Sequence, residues 1–457
     1  MTGNEDYPPM TEDGMCEAHV YRRLATLMSN RRSGKREDIR TTPLMTLAVK
    51  DTIQETLERS DCPEHKRSDG KTFNQYAVLG FHVGEHAQIS DDEPILMNID
   101  APTSAFICGS QGSGKSYTLC CMLENCLMAA ASIGRVIEPL AGVVFNYNPD
   151  CTPTASETAF LCSMAIPVNV LVSQSNMHAL QRAYSSIPGA SECLTISPLL
   201  LNPSDLSIER MHKLMAFSDK QNSMPLYMSV VLRILRQMAI KAGANAFDYV
   251  AFKKAIQNEN LTKDQLIPLE MRLELLESFM DTRKKRNAGP SKSVFELKPG
   301  TLTIIDLTDP FMDSTTACIL FEICLSLVGE RRSASGLVVA LDEAHKYMTN
   351  SFAAISFTDK LLGTIREQRH NATRVIVATQ EPTVSEKLMD LCTLSIVHRF
   401  TSPTWFSAIR KHLGAASGLN STVSEQKDLF ERIMHLGVGE SLVFAPSAFL
   451  CLSKAGT

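Results

Sequence analysis

Residues 109 to 116 read GSQGSGKS, between an apolar run, SAFIC, and a stretch whose apolar residues recur at helical spacing. Few eight-residue strings constrain a fold as tightly. The pattern Gly-x-x-x-x-Gly-Lys-Ser needs a strand to enter it and a helix to leave it. Gly109, Gly112 and Gly114 let the backbone turn with its N–H groups inward. Those donors, with the N-terminus of the following helix, make a site for phosphate groups. Lys115 brings a positive charge to the phosphates, and the Ser116 hydroxyl is placed to ligate Mg²⁺. Ser110, Gln111, Ser113 and Tyr117 complete the expected nucleotide contacts. With glycine near 7% of residues, a chance match belongs to about one or two percent of chains this long. The strand–loop–helix context lowers that figure further.

The rest of the chain reads as a scaffold for such a loop. AGVVFN, VNVLV, GTLTIIDL, GLVVALDE, RVIVATQ, LCTLSIVHRF and GESLVFAP are short apolar runs, several of them alternating with helical patterns such as TTACILFEICLSLVGE and FTDKLLGTIREQRH. This alternation predicts an α/β fold with a mostly parallel central sheet and helices on both faces. Residues 207 to 292 interrupt it with MHKLMAF, LYMSVVLRILRQMAIKAG and PLEMRLELLESFM, all of helical period. The expected organisation is therefore a polar arm (1–75), a first core segment (76–206), a helical insertion (207–292) and a second core segment (293–457). The arm holds one helix, Thr46 to Arg59, and is otherwise expected to be flexible.

Composition narrows the surroundings. No apolar run reaches the roughly 18 residues needed to span a bilayer, and the N-terminus is acidic and polar, unlike a secretory signal. The 13 cysteines are scattered, odd in number and without a Cys-x-x-Cys pair. Neither zinc nor a disulfide framework is expected; they read as reduced core thiols of a cytoplasmic or nuclear protein. A net charge of −5 argues against a chain coated in basic surface. It leaves room for a channel lined by a few basic loops, for which NRRSGKR (30–36) and RKKR (283–286) are the local clusters. Each also reads as a solvated loop or helix end.

A phosphate loop needs a partner strand that ends in an acid. LVVALDEAHKYM supplies it: Asp342 is placed to hold Mg²⁺ and Glu343 to polarise the attacking water. His345 and Lys346 read as the start of the next turn, with no catalytic role. Asp-Glu-Ala-His also spells the letters of the DEAH-box helicases. Those enzymes carry a Ser-Ala-Thr motif downstream and a second motor domain. Here the next strand ends in Val-Ile-Val-Ala-Thr-Gln (375–380) and too little chain follows for a second motor, so the match is one of four letters.

The ordered set GSQGSGKS, GTLTIIDL, VVALDEAHKYM, LGTIREQRHNATRVIVATQEP, LCTLSIVHRF and GESLVFAPS resembles the HerA/FtsK superfamily of RecA-like P-loop ATPases, over roughly residues 76 to 450. The resemblance implies ATP as the nucleotide, Mg²⁺ as its metal, and a ring, commonly a hexamer, that translocates or unwinds DNA, with a nuclease or another protein as a further partner. It implies that Gln380 is a polar sensor of the γ-phosphate. It implies that Arg369 is an arginine finger, with Arg366 and Arg399 as rivals. The family's N-terminal β-barrel is not matched: residues 76–100 offer only a fragment. A different class stays open, a nucleotide-dependent switch or scaffold that moves nothing. A non-hydrolysing relative is disfavoured by Lys115, Ser116, Asp342 and Glu343.

Overall fold

The computed structural model describes residues 40–59, 73–83, 89–150, 152–215, 226–242, 247–280, 294–331, 336–382, 384–412 and 423–450. Both basic clusters, 30–36 and 283–286, lie outside the described residues. In chain order the strands are β1 (Leu44–Thr46), β2 (Tyr76–Val83), β3 (Ile89–Asn98), β4 (Ser104–Cys108), β5 (Gly134–Arg135), β6 (Ala141–Asn146), β7 (Val168–Val172), β8 (Leu194–Pro198), β9 (Leu302–Asp306), β10 (Leu337–Leu341), β11 (Thr373–Thr379), β12 (Leu394–His398) and β13 (Ser441–Phe444).

Nine of them make the central sheet, in the order β13-β12-β4-β11-β10-β6-β9-β7-β8. Every pairing is parallel except β12 with β13. Parallel strands covered on both faces read as near-continuous apolar runs, and the middles of these strands do. Val143 and Phe145, Val339 and Leu341, and Val375 and Val377 enter one core. The residues between them, Val144, Ala340 and Ile376, enter the other. The helix Lys115–Leu127 covers the second core; Ser314–Glu330 and Phe352–Arg366 cover the first. Ser314–Glu330 is apolar nearly all round and buries 12 named residues, including Phe321, whose ring lies 4.9 Å from Phe145. The result is the α/β layering predicted from the alternation.

The strand order places the chemistry. β4, which feeds the glycine loop, is flanked by β11 and β12. β10, which ends at Asp342, is one strand further away, beyond β11. Gln380, the first residue after β11, therefore falls between the glycine loop and the acidic pair. The carboxyl ends of parallel strands are where an open α/β sheet takes ligands.

Between β8 and β9 the described elements are mainly helical: Ile208–Met215, Leu226–Ala242, Tyr249–Gln257 and Lys263–Ser278. Met211, Val231, Phe252, Leu269 and Leu273 join the same core as helix Ser314–Glu330, so these helices are packed on the sheet's helical layer. No helix among the described residues is long and apolar enough to cross a membrane. Among the described cysteines all are free thiols, five of them buried.

In the N-terminal arm the expected helix is present, over Leu47–Arg59, and a strand that was not expected precedes it. Leu44–Thr46 is strand β1, and Leu47–Arg59 a helix; both dock on a four-stranded antiparallel sheet ordered β1-β3-β2-β5. Leu44, Met45, Val49, Ile53 and Phe73 are buried there. A run this short is hidden by its polar neighbours in any averaged composition, yet it buries enough apolar surface to fix the segment.

Candidate active site

The glycine loop is built against the far end of the sequence. Ser110 donates from both its N–H and its hydroxyl to the carbonyl of Arg399, each at 2.8 Å. Gly439 N–H donates to the Ser113 carbonyl at 3.0 Å. Gly114 has φ of +106°, and a Cβ there would lie 2.9 Å from the backbone of Gly439. Only glycine meets both demands. Below the loop sits His398, fully buried. Its Nδ1 lies 2.9 Å from the Glu440 carbonyl and its Nε2 3.0 Å from the Thr118 hydroxyl. The carbonyl requires a proton on Nδ1, so Nε2 accepts from Thr118. The ring joins the loop's helix to the turn before β13.

Burial pushes the His398 pKa down to about 4, with the nearby Lys115 charge adding to it. The unfolded chain takes up this proton below about pH 6.5, while the folded chain holds it off until about pH 4. Stability is therefore lost as pH falls through that window, up to about 3 kcal/mol from this one ring. In His398→Gln, the drop in melting stability between pH 7 and pH 5 is expected to be smaller than wild type by about 2 kcal/mol. An unchanged pH profile would show that the ring takes up its proton over the same pH range in the folded and the unfolded chain.

Lys115 is buried, and its ammonium donates to the Ser110 carbonyl at 3.1 Å. Burial lowers its pKa, against the pull of Glu343 and Asp342. Ser116 follows it, half-buried, and Tyr117 is 75% exposed, its ring open to solvent beside the loop. Gln111 and Gly112 are exposed at the loop's tip, and Gly109 is buried against His398.

The opposing wall is the acidic pair. Alternation along β10 aims Asp342 at the same face as the glycine-loop helix. Burial raises its pKa to about 7, with Glu343 and Glu157 adding to the rise. Ser156 Oγ donates to Asp342 Oδ2 at 3.3 Å and opposes it. A carboxylate so placed takes its charge readily only beside a cation. Among the described residues no group of three or more His, Cys, Asp or Glu could hold a metal alone. One carboxylate and one hydroxyl, with phosphate oxygens and water, is a donor set that suits Mg²⁺. Asp342 and Ser116 thus fit the metal.

Glu343 stands in the left-handed region at φ of +48°, a conformation that costs a residue with a Cβ. Gln380 Nε2 donates to Glu343 Oε2 at 3.0 Å, and Gln380 N–H donates to His345 Nδ1 at 3.4 Å. His345 Nδ1 is 3.5 Å from Glu343 Oε2, and burial lowers its pKa. His345 lies in the turn Ala344–Lys346, as its place after the acids suggested, and its ring faces Glu343 and Gln380. The local strain at Glu343 is held by these neighbours.

The structure brings the loop, Lys115, Asp342, Glu343 and Gln380 together. The arginines are not among them. Arg366 and Arg369 are exposed and precede β11, whereas the nucleotide side comes after it. Seven residues of strand put roughly 20 Å between the two ends. Arg369 and Arg366 are therefore not part of their own chain's site. Arg399 is beside it, but through its carbonyl. Residues that carry the geometry without a readable pattern are His398, Thr118, Ser156 and Tyr184.

Parallel sheet, glycine loop and acidic pair together define an α/β fold of the P-loop nucleotide-binding class. No protein-family model matches the chain, and no curated protein does. Among solved structures it is similar to VirB4 of Thermoanaerobacter pseudethanolicus, at 14% identity and a TM-score of 0.48, over 81% of this chain and 94% of that one. It is also similar to the plasmid coupling protein TrwB in complex with the non-hydrolysable ATP analogue ADPNP, at 11% identity and a TM-score of 0.39, over 80% of this chain and 81% of that one.

Proposed function

We propose that this chain hydrolyses ATP with Mg²⁺ and works as a ring-forming motor on DNA, in the manner of the HerA/FtsK superfamily it resembles. The observation that carries hydrolysis is the meeting of Lys115, Asp342, Glu343 and Gln380 at the carboxyl ends of the central strands β4, β10 and β11. Loop N–H groups and Lys115 hold the phosphates. Ser116 and Asp342 would hold the metal, which would supply charge neutralisation to the phosphates. Glu343 takes a proton from the attacking water, and Gln380 orients the carboxylate that does so.

The ring is supported by where the arginines stand. Arg366 and Arg369 lie before the amino end of β11, exposed, where they are available to a neighbour's γ-phosphate and not to their own. A finger delivered in trans makes turnover depend on assembly. DNA rests on the family resemblance, with an acidic protomer lining its channel by loops.

A switch or scaffold has one observation in its favour. The helical insertion exposes Ile240, Val250, Ile267 and Met271, each more than half accessible. Such side chains suit a protein partner. Turnover discriminates the two. For a motor, ATP hydrolysis per protomer is expected to rise with protein concentration and again, several-fold, on adding long duplex or single-stranded DNA. Hydrolysis indifferent to DNA at every protein concentration would sink the motor and leave the switch.

A further inference from the structure

We infer that Ser156, fixed by Tyr184 and Asp306, is a positioning residue for the metal-binding carboxylate of Asp342. The inference rests on the nucleotide-hydrolysis reading and adds to it residues that no motif contains.

Three adjacent strands, β10, β6 and β9, end in a row of polar side chains on the glycine-loop face. Asn146 pairs with Asp306 in register, and Leu341 pairs with Phe145, so Asp342, Asn146 and Asp306 stand side by side. Asp306 is fully buried and burial raises its pKa. Its Oδ1 accepts from the Thr308 N–H at 3.0 Å, and its Oδ2 accepts from the Tyr184 hydroxyl at 2.6 Å. The Tyr184 oxygen in turn accepts from the Ser156 N–H at 3.2 Å. The Ser156 hydroxyl donates to Asp342 Oδ2 at 3.3 Å, and its oxygen is 2.8 Å from the Thr158 hydroxyl.

Every member of this chain is buried, and each hydrogen bond sets the direction of the next. Tyr184 pins the backbone of Ser156 on one side; Thr158 sets the hydroxyl's rotamer on the other. With Thr158 donating to it, the Ser156 oxygen gives its single proton to the Asp342 carboxylate. One of its two oxygens is thereby engaged and the plane of the group is fixed. A ligating carboxylate held from behind in this way is an outer-shell arrangement, and losing such a partner costs about 10- to 100-fold in metal affinity or activity. A purely structural role for the same chain would loosen the fold without singling out the cation.

The test is nucleotide binding by the full chain, read with a fluorescent ATP analogue, first in EDTA and then along a Mg²⁺ titration. Wild type is expected to bind the analogue weakly in EDTA and more tightly with Mg²⁺. A wild type that does not bind it at all would overturn the hydrolysis reading itself. Ser156→Ala is expected to bind in EDTA like wild type, but to need about 10- to 100-fold more Mg²⁺ for half of the enhancement. Ser156→Thr, which keeps the hydroxyl, should restore the wild-type titration. Tyr184→Phe should shift it in the same direction as Ser156→Ala, by less. A Ser156→Ala titration that overlays wild type overturns the inference. So does a loss of binding in EDTA as large as the loss in Mg²⁺, because that marks a site disturbed as a whole.

Discussion

In Glu343→Gln, ATP turnover falls by about 10²–10⁴-fold, the range for loss of a general base, while the nucleotide stays bound. The substitution keeps the shape of the side chain. Its carbonyl oxygen still accepts from the Gln380 amide, which now sits 3.0 Å from the carboxylate. What disappears is the ability to take a proton from water. One of two adjacent negative charges disappears with it. Glu343 is among the causes of the raised Asp342 pKa, so its neutralisation favours the charged, metal-binding form of Asp342. Affinity for nucleotide with Mg²⁺ is therefore expected to hold or to rise. Turnover at saturating nucleotide and an equilibrium titration separate the two effects. A variant that turns over within a few-fold of wild type removes Glu343 as the base.

The second large effect is the reverse, a loss of binding. Lys115 is buried among Ser110, Asp342 and Glu343, and burial lowers its pKa. A buried ammonium with a backbone carbonyl as its hydrogen-bond partner is held at a cost to the fold, and its return comes when phosphates arrive. Truncating one member of a desolvated, hydrogen-bonded charge pair costs about 2–5 kcal/mol, or roughly 30- to 4,000-fold in affinity. Lys115→Ala is expected to lose that much affinity for a nucleoside triphosphate, and far less for the nucleoside, which has no phosphates to lose. The comparison of the two ligands is the check. Equal losses for both would place Lys115 in the architecture of the pocket rather than on the phosphates.

Legibility in the sequence depends on distance along the chain. The glycine loop is contiguous, so strand, turn, lysine and helix can all be read in one window. Asp342 and Glu343 can be read because an acidic pair ending an apolar strand is itself local. Gln380 has no local signature beyond a strand end; its place beside Glu343 comes from β11 lying between β4 and β10, which no single window contains. Arg369 is identifiable as a residue, but its separation from its own site is a matter of strand direction: it stands before β11, and the nucleotide after. Ser156, Tyr184, Thr118 and His398 are ordinary residue types in ordinary positions. They meet only when segments up to 280 residues apart are brought together. Strand β1 and the burial of Leu44 and Met45 escape a sequence reading for a different reason, these few side chains being outnumbered by polar ones on either side.

The seating of Ser110 on Arg399, 289 residues downstream, has a consequence for the chain while it is being made. β4 has β11 and β12 as its neighbours in the sheet, and both are synthesised long after it. At about 5–20 residues per second, roughly 15–60 s pass between the two residues of that one hydrogen bond leaving the ribosome's catalytic centre. For all of that time the glycine loop exists as sequence but not as a receptor. A nascent chain is therefore blind to nucleotide until its last core strands emerge, and an edge of unpaired β4 waits exposed in the meantime. Birth, for this protein, is the interval in which chaperones have most to hold.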